Sequence, residues 1–233
     1  MMKLAISAPL SINAKEKLKK NGVKLLEFDG NPSVMPQVKY HSDLSFFYAG
    51  NNTVFTAAEA ECTGRYLSSL GYCVIPLSKL KAEYPFDVLL NCVAVGKHFI
   101  CNTDTVSKKI FQYFSDRQYE IIPVSQGYTK CSVVPVTDKA LITDDESIFR
   151  ECIIRGLDVL KVSKGSVELE GFPYGFIGGA SGKIGDNLIA FNGDINTHEN
   201  GEDIKKFLSS HGISYISLDK GKLVDVGSII PLY

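Results

Sequence analysis

Residues 131–164 read CSVVPVTDKALITDDESIFRECIIRGLDVLKVSK. An apolar run over 131–137 meets a short polar turn, TDK, and a second run, ALITD, follows at 140–144. Two strands joined by so short a polar link form a hairpin. IFRECIIRG, at 148–156, then spaces its apolar residues three to four apart, which is helical, and Gly156 supplies a stop signal. VLKVSK at 159–164 returns as a strand. The unit is strand, hairpin, strand, helix, strand.

The same unit recurs on both sides of this stretch. Its closing element reads LLEFDG at 25–30, VIPLSK at 74–79, IIPVSQ at 121–126 and YISLDK at 215–220. Each copy follows a helix-like stretch: AKEKLKK, ECTGRYLSSL, SKKIFQYFSD and EDIKKFLSSH. Ahead of these helices lie short apolar strands, KLAIS, TVFTA, HFICN and LIAFN. A further strand family is expected over 43–49, 87–95, 131–137, 174–182 and 224–232, joined to the next strand by turns such as AGNN, VGKH and SGKIGDN. The chain opens partway through a unit and ends on the strand that completes it. One such unit cannot bury its own apolar face, so neighbours must supply the core. The expectation is a single domain over 1–233, with five units in a ring closed by pairing Asp225–Leu232 beside Lys3–Ser7.

Composition narrows the function classes. Lys and Arg number 25 against 26 Asp and Glu, a net charge of −1, and 45% of the residues are hydrophobic. Non-specific nucleic-acid binding needs a basic field that this balance does not supply, so no nucleic-acid partner is expected. No stretch approaches the ~20 apolar residues that span a bilayer, so no membrane partner is expected either. The opening MMKLAISAPLSINAKEKLKK has a short apolar run broken by Ser7 and Pro9, and it reads as part of the fold rather than as a secretory signal. The six cysteines, Cys62, Cys73, Cys92, Cys101, Cys131 and Cys152, form no CxxC pair and no Cys/His ligand set. Scattered thiols in a chain of this length fit a reducing, cytoplasmic setting. In NCVAVGKHFIC, a two-residue turn at Gly96-Lys97 would place Cys92 opposite Cys101 on neighbouring antiparallel strands, both reduced.

This five-unit ββαβ pattern, with the strings QGYTKCS, ITDDESI, GFIGGASG and LVDVGSI, resembles the pentein fold, the five-bladed α/β propeller of guanidino-group-modifying enzymes. The resemblance covers essentially the whole chain and points to an uncharacterised bacterial branch. Members include arginine and agmatine deiminases, dimethylarginine hydrolases and amidinotransferases, and also a non-enzymatic ribosome anti-association factor. The resemblance implies a central pocket in which a cysteine thiolate, a histidine and carboxylates handle a cationic substrate. Where the deiminase-like members carry their nucleophile, in the final strand, this chain has Val226-Gly227-Ser228. Where they carry an H-x-D motif it has Thr129-Lys130-Cys131. Both catalytic positions therefore depart from the family pattern.

In such a fold the first strand of each unit runs near the axis, so its polar residues become pocket candidates. These are His41, Asp43, Asn91, Lys130 and Cys131, then Ser181, Asp225 and Ser228, with Asp144 and His198 reaching in from loops. Cys131 is the candidate nucleophile, although strand alternation keeps Lys130 and Cys131 from facing the axis together without a bulge. Asp144-Asp145-Glu146 either caps the next helix or grips an amine or guanidinium. GFIGGASG permits close backbone approach, but it lacks the GK[ST] of a P-loop and the GxGxxG of a dinucleotide site, so no cofactor is expected. His41 and His198 lack further ligands at metal-binding spacing. The leading expectation is a polar central pocket for a small cationic or amino-acid-like ligand. The alternatives are a divergent guanidino- or amidino-group hydrolase or transferase using Cys131, and a non-catalytic interaction protein.

Overall fold

The computed structural model describes residues 3–233; the first two residues of the opening stretch lie outside them. β1 (Lys3–Ser7) leads through α1 (Ile12–Lys20) to β2 (Val23–Glu27). A single helical turn, α2 (Ser42–Ser45), precedes β3 (Phe46–Gly50), β4 (Thr53–Thr56), α3 (Glu61–Ser69) and β5 (Cys73–Pro76). β6 (Val93–Val95), β7 (His98–Cys101), α4 (Lys108–Asp116) and β8 (Glu120–Pro123) follow. Next come β9 (Val133–Thr137), β10 (Ala140–Thr143), α5 (Glu146–Ile154) and β11 (Asp158–Lys161). After the short β12 (Val167–Glu168) come β13 (Ser181–Gly185), β14 (Leu188–Phe191), α6 (Gly201–Ser210) and β15 (Ser214–Ser217). β16 (Leu223–Val224) and β17 (Ile230–Leu232) complete the chain.

The result is an α/β fold of many small sheets. Four three-stranded sheets have the orders β3-β4-β5, β6-β7-β8, β9-β10-β11 and β13-β14-β15, each with one antiparallel and one parallel pair. A further sheet draws on both ends of the chain: β17 pairs antiparallel with β1, Leu4 opposite Leu232, and β1 runs parallel to β2. The apolar runs TVFTA and ALITD become β4 and β10, each the middle strand of its sheet and buried along its whole length. Strands covered on both faces need such continuous apolar runs. Around Gly96-Lys97 the register sets Val93 opposite Ile100, where the ladder ends; Cys92 lies one residue beyond it, and Cys92 and Cys101 are both free and buried in the same apolar cluster.

Each long helix buries one stripe. Ile110 and Phe114 on α4, Ile148 and Cys152 on α5, and Ile204 and Leu208 on α6 are all i, i+4 pairs, which lie on one helix face. Gly156 takes the left-handed conformation after α5 (φ 77°); after α4, where no glycine stands, Gln118 does so instead (φ 56°). Five apolar clusters fill the spaces between sheets. One joins β1 to β3 and β4 through Ile6, Phe46 and Val54, and the next joins that sheet to β7 and α4, where Phe99 stacks on Phe114 at 4.1 Å. The following two link Val93 and Ile100 to Val133 and Leu141, then Val134 and Ile142 to Ile189 and Phe191. The last returns from Ile184 and Ala190 to Ala5 and Leu18. No helix among the described residues is long and apolar enough to cross a membrane.

The strand family expected over 43–49, 87–95, 131–137, 174–182 and 224–232 is shorter than its apolar content implies. Residues 42–45 form the helical turn α2, 88–92 are irregular around a turn at 89–90, 129–132 and 177–180 are turns, and 225–229 is a loop between β16 and β17. Their backbone groups bond across sheets rather than along a ladder: Asp43 N–H donates to Gly227 O, Gly179 N–H to Cys131 O, and Ser228 N–H to Gly179 O. The segments converge before strand pairing begins, and the polar side chains they carry meet there.

Candidate functional site

Ser228 lies at the middle of this convergence. Its Oγ donates to Asp43 Oδ2 at 2.6 Å and accepts from Lys130 Nζ at 2.9 Å. Cys131 Sγ donates to the same Asp43 oxygen at 3.2 Å, and Asn91 Nδ2 donates to that sulfur at 3.1 Å. Asn91 Oδ1 in turn accepts the backbone N–H groups of Lys130 and Cys131, at 2.7 and 3.2 Å, and so fixes the turn that presents them. Asp43 Oδ1 is buried with no partner, an orphan of the kind that folded proteins rarely leave. Ser228 is held at φ 66°, an uncommon conformation for a residue with a Cβ.

Asp225 forms the second focus. Its Oδ2 accepts from Phe176 N–H and its Oδ1 from Gly227 N–H, both at 2.9 Å, and His41 Nδ1 stands 3.7 Å from Oδ1. The glycines of GFIGGASG find their reason here: a Cβ on Gly179 would sit 2.0 Å from Asp225 Oδ1. The close approach is between backbone and carboxylate, and only glycine fits it.

Beside these groups opens a cavity of about 240 Å³. His41, Cys131 and Asp225 supply its polar lining, while Tyr128, Tyr174, Phe176, Met35 and Leu44 contribute to its apolar walls. The 169–176 loop that carries two of these rings is tethered by the parallel β12–β16 ladder and by the Asp225 N–H bond to Glu168 O. A second cavity, about 440 Å³, runs along the inner strands and is lined by Ser181, Lys183, Phe46, Tyr48 and Tyr233, with Lys130 at its border.

Burial sets the electrostatics. It pushes the Cys131 thiol well above its ordinary range, and the charges of Asp43 and Asp225 push the same way. It lowers Lys130, against the opposing pull of Asp43, Cys131 and Asp225. It raises Asp225, with His41 acting in the opposite direction. The resting sulfur is therefore a neutral thiol hydrogen-bonded to a carboxylate, not a free thiolate.

The ten residues singled out from the sequence divide into groups. His41, Asp43, Asn91, Cys131, Asp225 and Ser228 come together as described. Ser181 donates to Gly178 O at 3.1 Å and faces the second cavity. Asp144 turns away from the helix it precedes and accepts Ile177 N–H, leaving the capping of α5 to Asp145. It lines a separate pocket with Lys161, Lys164 and Asn200. His198 Nδ1 accepts from Asn200 N–H in the loop before α6, and its buried Nε2 has no partner. The expectation that Lys130 and Cys131 face opposite ways fails. Both lie in the turn before β9, where strand alternation does not operate, and both side chains reach the same cluster. The aromatic wall was missed; its signal was FPYGF at 172–176, three rings among Pro and Gly directly before GGASG. Among the described residues no group of three or more His, Cys, Asp or Glu could hold a metal ion.

The family model described as a family of unknown function (DUF6873) matches residues 5–230. The chain belongs to that family. No curated protein matches it. Among solved structures, DDAH from Pseudomonas aeruginosa, in a complex with citrulline, has a TM-score of 0.57 at 9% identity over 94% of this chain and 92% of that one. An amidinotransferase of the saxitoxin pathway from Microseira wollei has a TM-score of 0.56 at 12% identity, covering 91% and 77% of the two chains. Agmatine deiminase from C. jejuni has a TM-score of 0.54 at 14% identity, covering 93% and 75%. At these identities the likeness is one of fold, which this DUF6873 chain shares with those pentein-fold structures.

Proposed function

We propose that the five sheets are the blades of a five-bladed ββαβ propeller closed by the β17–β1 pair, and that its polar centre binds a small cationic ligand. The five inter-sheet apolar clusters, the last of which returns to the first sheet, support the ring. One observation carries the ligand reading: a buried carboxylate, Asp225, lines a small cavity whose other walls are mostly apolar and aromatic. A cation entering there gains from the carboxylate in a medium of low dielectric and from the ring faces. Lys130 is spoken for by Ser228 and Gly178 O and does not compensate Asp225 directly.

Thermal unfolding with methylguanidinium, agmatine and tetramethylammonium tests this. A ligand at about 100 times its Kd adds about 2.7 kcal/mol of stability. At least one of these cations should raise the wild-type Tm by several degrees and leave Asp225→Asn unmoved. Failure of all three at millimolar concentration, or equal shifts in the variant, overturns the reading.

A second reading rests on Cys131, which lines the same cavity with His41 and touches Asp43. A divergent hydrolase or transferase would attack a guanidino or amidino carbon through this sulfur, the thiol proton passing to Asp43 Oδ2 and an amine leaving the carbon, after ligand charge had offset the burial and the two carboxylates that hold the thiol neutral. Six free cysteines also support a reducing, cytoplasmic setting.

A further inference from the structure

We propose that the cavity at the His41–Asp225 end selects an alkylated ammonium, or a like monocation on an apolar body, over ligands with a free carboxylate or a multiply hydrogen-bonding cation. This rests on the small-cation reading above and specifies its ligand class.

Tyr128 stacks on Phe176 with centroids 6.0 Å apart, and Phe176 meets Tyr174 edge-on at 6.2 Å. Tyr84, exposed at the surface, continues the row behind Tyr128 at 6.1 Å. Met35, Val38 and Leu44 also line the cavity. A cation within about 6 Å of a ring centroid is attracted by the ring quadrupole, most strongly when it is desolvated. Alkyl groups on that cation would fill the apolar remainder.

Asp225 is the single carboxylate lining the cavity among the described residues, and each of its oxygens already takes a backbone N–H. Tyr128 directs its hydroxyl to Asp87. A guanidinium brings five N–H donors and a primary ammonium three, each costly to bury without an acceptor. A fully alkylated ammonium brings none.

No Lys or Arg lines this cavity among the described residues. Lys164, 5.8 Å from the Tyr174 ring, belongs to the neighbouring pocket with Asp144. His41 faces Asp225. A ligand carboxylate would be stripped of water against ring faces and beside a like charge.

Isothermal titration with four probes decides the matter: benzyltrimethylammonium, its neutral isostere neopentylbenzene, the betaine bearing a carboxylate on the benzylic carbon, and agmatine. The quaternary ion should bind at least tenfold tighter than each of the other three. Phe176→Leu, which keeps the cavity apolar, should weaken the quaternary ion at least fivefold and change the isostere less than twofold. Betaine or agmatine binding as tightly as the quaternary ion overturns the selectivity and leaves the small-cation reading standing. An equal loss for ion and isostere in the leucine variant also overturns it. Neopentylbenzene matching every cation, or no cation binding at millimolar concentration, overturns both.

Discussion

Ser228 Oγ lies 2.6 Å from Asp43 Oδ2 across 185 residues of sequence, with Lys130 Nζ 2.9 Å away on the same hydroxyl. The serine thus bridges an acid and a base, and the three residues come from three separate segments. Removing the hydroxyl leaves a buried acceptor and an ammonium each short of a partner, at a cost of about 1–3 kcal/mol. Ser228→Ala should therefore lower stability by that order in urea unfolding. Ser228→Gly loses the same bonds but relieves the positive φ, so it should cost less than Ala. Equal costs for the two variants would mean that the backbone at 228 carries no strain.

Burial pushes the Asp144 carboxyl up to about 7, while the Ile177 N–H bond and Lys164 act against the rise. Between the unfolded value near 3.8 and that folded value, the folded chain holds a proton that the unfolded chain has released. This group's contribution accordingly falls as pH rises through the window, by at most about 1.4 kcal/mol per pH unit, and levels off above 7. Asp144→Asn should flatten the Tm profile between pH 5 and 7 relative to wild type. Parallel profiles would place the titration elsewhere.

Only Cys62 and Cys73 are exposed, and burial lifts Cys101 and Cys152 to about 12 and Cys92 and Cys131 well above their ordinary range. Native protein should present two promptly reactive thiols to Ellman's reagent, and six once denatured without reductant. A count of four after denaturation would reveal a disulfide, with Cys92 and Cys101, buried in one apolar cluster, as the expected pair. Peptide mapping after iodoacetamide should find Cys131 among the slow sites. Fast labelling there would favour the covalent reading.

Gly179→Ala introduces a Cβ that would stand 2.0 Å from Asp225 Oδ1, so backbone or carboxylate has to move. Overpacking of this kind costs about 1–3 kcal/mol, and it should also abolish cation binding by displacing Asp225. Gly221→Ala, where the Cβ meets nothing within 4 Å, is the control and should be close to neutral. Retention of binding in Gly179→Ala would show that the position of Asp225 is not critical.

The order of elements could be read from the sequence because it is written in local physics. Apolar runs such as ALIT and TVFT are continuous because they become middle strands, and the i, i+4 stripes of α4, α5 and α6 follow from one helix face meeting a sheet. The hairpin register around Gly96-Lys97 is equally local, since turn length sets it. What local pattern could not supply was the conformation just ahead of the inner strands. Apolar content over 87–95 and 174–182 reads as strand, yet those backbones leave the ladder to bond one another across sheets, a choice that exists only once distant segments have met. The same cause hid the partnership of Lys130 with Ser228 and Asp43, and it let Lys130 and Cys131 face inward together. Sequence determined which residues are polar amid apolar surroundings. Tertiary convergence of separate turns decided which of them touch, because burial, charge compensation and cavity shape belong to the assembled segments and to none of them alone.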